Sequence, residues 1–198
     1  MNRSDADDKK MIPRRTCAVT VTYYPDTSDV RFRLALELCK LAARRRIHLI
    51  VVDGSPDPSV RDRFRDGADG YVRVFEQDRD RYPGKGGSLR QAILNAVEWI
   101  REDDAADGGS ASSEPAAICF TEPEKVDLMN HVHAIAEPIL GGAADVVVPE
   151  RDDELFRYTY PIEQYHSESF GNMHFDLLAR RLEGFFGKGG ENKLDWLF

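Results

Sequence analysis

Two short clusters of residues in this chain have the types and spacing to bind a charged ligand. Asp53 ends an apolar run, and the segment Gly84-Lys85-Gly86-Gly87-Ser88 precedes a helical pattern. A carboxylate such as Asp53 accepts hydrogen bonds from a ribose or a base edge. Glycines let the backbone approach a ligand, and the free amides of a helix N-terminus favour an anion. Lys85 adds a point charge for a phosphate, so we expect Gly84, Lys85 and Gly86 to lie beside a nucleotide.

A third cluster consists of two carboxylates, Glu122 and Glu124, which flank Pro123 after another apolar run. Side chains two residues apart on extended backbone point the same way. Two such carboxylates can hold a hard divalent cation, Mg²⁺ or Mn²⁺, that also binds a diphosphate. We therefore expect a metal site at Glu122 and Glu124.

Each of the three clusters also has a purely structural interpretation, which the sequence leaves open. Asp53 is also typical of a turn or of a helix cap before Pro58. The glycines after Pro83 are also typical of a plain turn, since the spacing of a P-loop is absent. The acids around Pro123 are also typical of a helix N-terminus.

The segment from Tyr160 to Glu168 concentrates aromatic and titratable groups near the C-terminal end of the sequence. Glu163, His166 and Glu168 are candidates for the base that removes a proton from an acceptor hydroxyl. An amphipathic helix with solvated acids is the structural alternative for each of them.

The elements that must position these residues follow from the hydrophobic pattern. Strands are predicted at 16–22, 47–52, 71–75, 116–120 and 144–148. Helices are predicted at 30–44, 58–65, 89–100, 128–139 and about 163–182. This alternation predicts an α/β fold, a three-layer α/β/α arrangement with a mostly parallel, Rossmann-like central sheet. Ligands bind such sheets beyond the carboxyl ends of the strands, which also places Tyr23 at the expected site.

Composition and charge narrow the possible functions of the protein and the division of its chain into domains. The chain has 198 residues and a net charge of −8, which argues against a nucleic-acid partner. The sequence shows no apolar run long enough to span a bilayer and no signal peptide, so we expect a cytoplasmic protein. Cys17, Cys39 and Cys119 are expected to be buried free thiols. We predict a disordered leader at 1–14, an α/β domain at 15–150 that holds the nucleotide site, and a segment at 151–198 that carries the three candidate bases.

The ordered motifs resemble those of family-2-like glycosyltransferases, which have the glycosyltransferase A fold. The resemblance covers 16–150 and rests on Val51-Val52-Asp53-Gly54-Ser55, the Gly84 segment and Glu122-Pro123-Glu124. It implies that Asp53 contacts the nucleoside and that the Glu-Pro-Glu position binds a metal and the diphosphate of a nucleotide sugar. The chain departs from the pattern, because it has one Asp where the family has a pair, Glu-Pro-Glu where the family has Asp-x-Asp, and a shorter C-terminal part.

We therefore expect an enzyme that transfers a sugar from a nucleotide diphosphate sugar to an unknown acceptor, with a divalent metal. A nucleotidyltransferase that makes a nucleotide sugar is a second hypothesis, although its Gly-Lys loop would normally follow the first strand. A non-catalytic nucleotide-binding module is a third. A homo-oligomer or a partner chain could supply what the short C-terminal part lacks.

Overall fold

The computed structural model describes residues 15–106, 115–149, 153–159, 161–163, 165–171, 173–174 and 177. The chain divides into two compact units, Met1–Val147 and Val148–Phe198. The leader predicted at 1–14 lies outside the described residues.

The first unit is an α/β fold with four parallel strands in the order β3-β2-β1-β4. The strands are β1 (Thr16–Thr22), β2 (His48–Asp53), β3 (Val72–Glu76) and β4 (Ala117–Phe120). The helices are α1 (Val30–Arg45), α2 (Pro58–Asp66), α3 (Gly84–Ala106) and α4 (Val132–Leu140), with a 3₁₀ helix at Val126–Asn130. The predicted α/β class and parallel sheet are confirmed.

Side chains alternate between two cores because successive residues of a strand point to opposite faces. Leu49 and Val51 of β2 pack with residues of α1, α2 and α4. Ile50 and Val52 pack against α3, where Ala92 and Trp99 are buried. The sheet is therefore covered on both faces, which accounts for the continuous apolar run of β2.

The three cysteines are buried and free, as predicted. Burial raises the pKa of the Cys17 and Cys39 thiols to about 12, and it also raises the pKa of Cys119. At neutral pH these thiols are uncharged and pack as small apolar side chains.

The fifth strand predicted at Ala144–Val148 is wrong, since these residues form no strand. The backbone amides of Ala143 and Ala144 both donate to the carbonyl of Pro138, at 2.8 and 3.2 Å. These bonds hold the chain at the end of α4, and Val146 is 75% exposed. The apolar run indicated a strand, but the amide of its first residue, Ala144, donates to the preceding helix.

Two other boundaries differ from prediction. The single helix expected at 128–139 is a 3₁₀ helix followed by α4. The helix expected at 89–100 is longer at both ends, because α3 begins at Gly84 and continues to Ala106. Asp104 accepts a bidentate pair of hydrogen bonds from Arg15 at 2.7 and 2.8 Å, which anchors this last turn. Residues 107–114 lie outside the described part of the chain.

Most of the described residues of the second unit are helical, apart from 148–149 and 161. It contains α5 (Asp153–Thr159), which the sequence did not predict, and helical residues at 162–163, 165–171, 173–174 and 177. Phe156 of α5 is buried, and its ring lies 5.3 Å from that of Tyr165. The helix predicted from about Glu163 is confirmed at the described residues 163, 165–171, 173–174 and 177, and the rest of the predicted range lies outside the described ones.

Candidate functional site

A cavity of about 650 Å³ opens at the carboxyl ends of β1 and β4, beside the start of α3. This volume is within the range of small-molecule sites. Its polar and charged lining residues include two carboxylates and three cations: Glu122, Glu124, Arg31, Arg79 and Lys85. A second cavity of about 370 Å³ shares Gln77 and Arg79 with the first, and Asp53 lines it.

Asp53 is fully buried at the end of β2, and its two oxygens differ in their partners. Oδ1 accepts hydrogen bonds from the hydroxyls of Thr22 at 2.8 Å and Ser55 at 2.6 Å. Oδ2 has no hydrogen-bond partner among the described residues. The helix cap before Pro58 is Asp57, whose side chain accepts from the amide of Ser59, so Asp53 does not serve as that cap.

Arg61 supplies the nearest positive charge to Asp53. Its Nη1 lies 3.8 Å from Oδ2 of Asp53, and its Nη2 lies 3.0 Å from Glu76. The Nε of Arg61 is buried and has no hydrogen-bond partner in the described part of the chain. Buried polar groups are normally satisfied, but Asp53 and Arg61, which line the second cavity, hold one unsatisfied acceptor and one unsatisfied donor.

The start of α3 lies at the first cavity. Gly84 has a φ of +69°, a backbone region that favours glycine. Gly84 and Lys85 line this cavity, whereas Gly86 is exposed and is not among its lining residues. Gly87 allows a close approach, because a Cβ there would overlap the backbone of Tyr82.

The loop between β3 and α3 is held by hydrogen bonds from glutamine side chains. Gln77 Nε2 donates to the carbonyl of Tyr82 at 2.7 Å, and Gln91 Nε2 donates to the carbonyl of Glu76 at 2.8 Å. Arg79, in this loop, donates from Nη2 to the carbonyl of Gly54. The loop therefore joins the turn after β2 to the glycine segment.

Glu122 and Glu124 both line the first cavity, but on a turn and not on extended backbone. The amide of Lys125 donates to the carbonyl of Glu122 at 3.1 Å, which closes the turn. Oε1 of Glu122 lies 3.9 Å from Nζ of Lys85. Oε1 of Glu124 accepts a hydrogen bond from the hydroxyl of Tyr24 at 3.3 Å.

A metal at these two carboxylates would need further ligands. Among the described residues, no group of three or more His, Cys, Asp or Glu side chains is placed to hold a metal ion. Mg²⁺ is commonly bound through one or two carboxylates together with substrate phosphates. Glu122 and Glu124 therefore fit a cation whose remaining ligands come from a bound diphosphate.

The tyrosines after β1 differ in their environments. Tyr23 is 62% exposed and lines the first cavity, as expected for a residue that contacts a ligand. Tyr24 is buried, and its pKa is raised by desolvation and by the neighbouring Glu124. Tyr24 therefore stays a neutral hydrogen-bond donor at neutral pH.

The three candidate bases belong to the second unit. Glu163 and His166 are exposed, and Glu168 is half-buried. His166 and Glu168 lie in one helical stretch, 165–171, two residues apart, and residues at that spacing do not share a helix face. At most one of these two can therefore reach a given substrate hydroxyl.

Sequence reasoning missed several residues that line the two cavities. Arg31, in the first turn of α1, and Arg79, in the polar loop after β3, line the first. Arg61 of α2 lines the second. The rule that ligands bind at the carboxyl ends of parallel strands could have found Arg79, since its loop follows β3.

Comparison with protein-family models, with curated proteins and with solved structures finds no match to this chain. Within the described residues, no helix is both long and apolar enough to cross a membrane.

Proposed function

We propose that the chain binds a nucleotide diphosphate sugar in the two adjoining cavities and transfers the sugar to an acceptor hydroxyl. The observation that carries the proposal is the charge arrangement at the carboxyl ends of β1 and β4. Lys85 and Arg79 supply positive charge there for a diphosphate, and Glu122 and Glu124 are available to a divalent cation. Asp53 and Arg61 supply an acceptor and a donor for the nucleoside.

Each part of the proposed ligand corresponds to a group of this chain. The nucleoside lies in the second cavity, where Oδ2 of Asp53 accepts a hydrogen bond and Arg61 Nε donates one. The diphosphate lies beside Gly84 and Lys85, with Mg²⁺ or Mn²⁺ between it and the two glutamates. The cation would stabilise the negative charge of the departing diphosphate.

The transfer step moves one proton and exchanges one bond at the sugar. The oxygen of the acceptor hydroxyl attacks the anomeric carbon, and the bond from that carbon to the diphosphate oxygen breaks. The nucleoside diphosphate leaves with the electron pair of that bond. Glu163, His166 or Glu168 accepts the hydroxyl proton in this proposal.

The loop after β1 disfavours the alternative of nucleotide-sugar synthesis. This loop runs from Tyr23 to Asp29, which caps α1, and it contains no Gly-Lys pair. The Gly-Lys pair of this chain opens α3 instead. A non-catalytic binding module remains the second candidate, because both cavities are formed within the first unit alone.

The test is a thermal-shift panel of UDP, GDP, dTDP and CDP sugars, each with Mn²⁺ and with EDTA. A ligand that binds only the folded chain raises the free energy of unfolding by about 2.7 kcal/mol at 100 times its Kd. We expect one base to shift the melting temperature, and more in Mn²⁺. No shift with any nucleotide sugar would overturn the proposal, whereas binding without transfer to any acceptor would favour the non-catalytic module.

A further inference from the structure

Tyr24 is held rigidly although it borders an open cavity. Its side chain is 1% exposed, and its ring packs edge-on against Phe32 with centroids 5.9 Å apart. The guanidinium of Arg31 lies 5.6 Å from the ring centroid on another side, and Asp29 holds that guanidinium through hydrogen bonds at 2.6 and 3.1 Å. The position of the Tyr24 hydroxyl is therefore determined by packing.

The backbone amide and the phenolic hydroxyl of Tyr24 contact residues of different cavities. Its backbone amide donates to Oγ of Ser55 at 2.9 Å, and that hydroxyl donates to Oδ1 of Asp53 at 2.6 Å. Its phenolic hydroxyl donates to Oε1 of Glu124 at 3.3 Å. One residue thus links the buried carboxylate of the second cavity to a carboxylate of the first.

We propose that Tyr24 is a positioning residue, which orients the carboxylate of Glu124 toward the diphosphate-bound cation and fixes the position of that carboxylate relative to Asp53. The inference rests on the proposed function, because it needs a ligand that occupies both cavities. The hydroxyl engages one oxygen of Glu124, and the other oxygen has no hydrogen bond among the described residues. A carboxylate held in this way has one oxygen oriented for a cation.

A hydrogen bond of this kind is significant for affinity because outer partners orient metal ligands. Loss of such a partner typically costs about 10- to 100-fold in metal affinity. A glutamate side chain has three rotatable bonds, and ordering them at the moment of binding costs free energy. Tyr24 fixes the carboxylate of Glu124 before the ligand arrives.

The test compares Tyr24→Phe, Glu124→Gln and the double variant with the unchanged chain. Tyr24→Phe removes only the hydroxyl and leaves the buried ring and the amide bond to Ser55. Tyr71→Phe, at the residue just before β3, is the matched control. For each protein, calorimetry measures the affinity for UDP and for GDP in EDTA and in Mn²⁺, and electron paramagnetic resonance counts bound Mn²⁺.

We expect Tyr24→Phe to leave the affinity in EDTA unchanged and to lower the gain in affinity from Mn²⁺ by about 10-fold. Glu124→Gln should lose the same gain, and the double variant should lose no more than the larger single loss. The assignment of Tyr24 is overturned if Tyr24→Phe keeps the full gain in affinity from Mn²⁺, or if it loses as much affinity in EDTA as in Mn²⁺. It is also overturned if the double variant loses the sum of the two single losses. If the unchanged chain binds neither UDP nor GDP, the same measurements are made with dTDP and CDP. Binding of none of the four overturns the proposed function itself, and the ligand role of Tyr24 with it.

Discussion

Nη1 of Arg61 lies 3.8 Å from Oδ2 of Asp53, beyond hydrogen-bond distance, and both residues line the second cavity. The arginine compensates the charge of a carboxylate that is fully buried. Oδ2 of Asp53 and Nε of Arg61 are both buried and have no hydrogen-bond partner among the described residues. This arrangement separates the structural role of Asp53, at Oδ1, from its proposed binding role, at Oδ2.

The first prediction concerns these two roles of Asp53. Asp53→Ala leaves the hydroxyls of Thr22 and Ser55 without their acceptor, so it should lower the free energy of unfolding by about 1–3 kcal/mol. Asp53→Asn can keep an acceptor for both hydroxyls and should be more stable than the alanine variant. Both variants should bind the nucleoside diphosphate at least about 10-fold more weakly. Urea unfolding and calorimetry measure the two effects, and unchanged affinity in folded Asp53→Asn would remove Asp53 from the binding site.

The second prediction is that a divalent cation strengthens nucleoside diphosphate binding. In EDTA the affinity should fall, and Glu122→Gln should reduce the difference between Mn²⁺ and EDTA because it removes one charged ligand. Glu98→Gln, an exposed change on α3 that lines neither cavity, is the control. Equal calorimetric affinities in EDTA and Mn²⁺ for the unchanged chain would show that the Glu-Pro-Glu segment is structural.

The third prediction distinguishes binding of the phosphates from binding of the nucleoside. Lys85 is exposed, with its Nζ 3.9 Å from Glu122, and it should exchange this contact for the diphosphate. Lys85→Gln should weaken diphosphate binding by about 10-fold and leave the affinity for the free nucleoside unchanged. Lys40→Gln, which removes an exposed lysine of α1 paired with Glu37, should change neither affinity. Equal losses for nucleoside and diphosphate would contradict a phosphate role.

The fourth prediction uses two neighbouring glycines of α3. Gly87→Ala places a Cβ against the backbone of Tyr82, so it should cost about 1–3 kcal/mol of stability and displace the loop that carries Arg79. Gly86→Ala meets nothing within 4 Å and should be stabilising by up to about 1 kcal/mol, because alanine favours the helix. Thermal unfolding measures the stability of both variants, and calorimetry measures their affinity for a nucleoside diphosphate. Equal stability of the two variants would show that the loop moves away at no cost.

The fifth prediction concerns the second unit. Removal of the base should lower the transfer rate by about two to four orders of magnitude while donor affinity stays unchanged. Glu163→Gln, His166→Ala and Glu168→Gln are assayed separately for donor binding and for transfer, with the exposed Glu154→Gln of α5 as control. Since His166 and Glu168 occupy different helix faces, only one of these two should show the loss. Full transfer by all three variants would mean that the base lies elsewhere.

The sequence determined four strands and most helices of the first unit, because their signals are local. The continuous apolar run of β2 and the turn at Asp53-Gly54-Ser55-Pro56 are visible in consecutive residues, and parallel pairing then places Asp53 and Glu122 at one edge of the sheet. The helices were also evident, but not the faces that they bury. On α3 the large apolar side chain of Ile93 is 38% exposed while the neighbouring Ala92 is fully buried, because small residues let the helix pack closely on the sheet.

Only the tertiary structure decided which partners these residues have. The contact of Tyr24 with Glu124 and that of Arg61 with Asp53 join side chains from separate elements, and no local pattern records such pairs. The failed strand at Ala144–Val148 has the same cause, since its run of valines suits a strand but the amide of Ala144 bonds back to Pro138 of α4. Hydrophobic period and turn residues depend on near neighbours in sequence, whereas hydrogen-bond partners and burial depend on which elements the folded chain brings together.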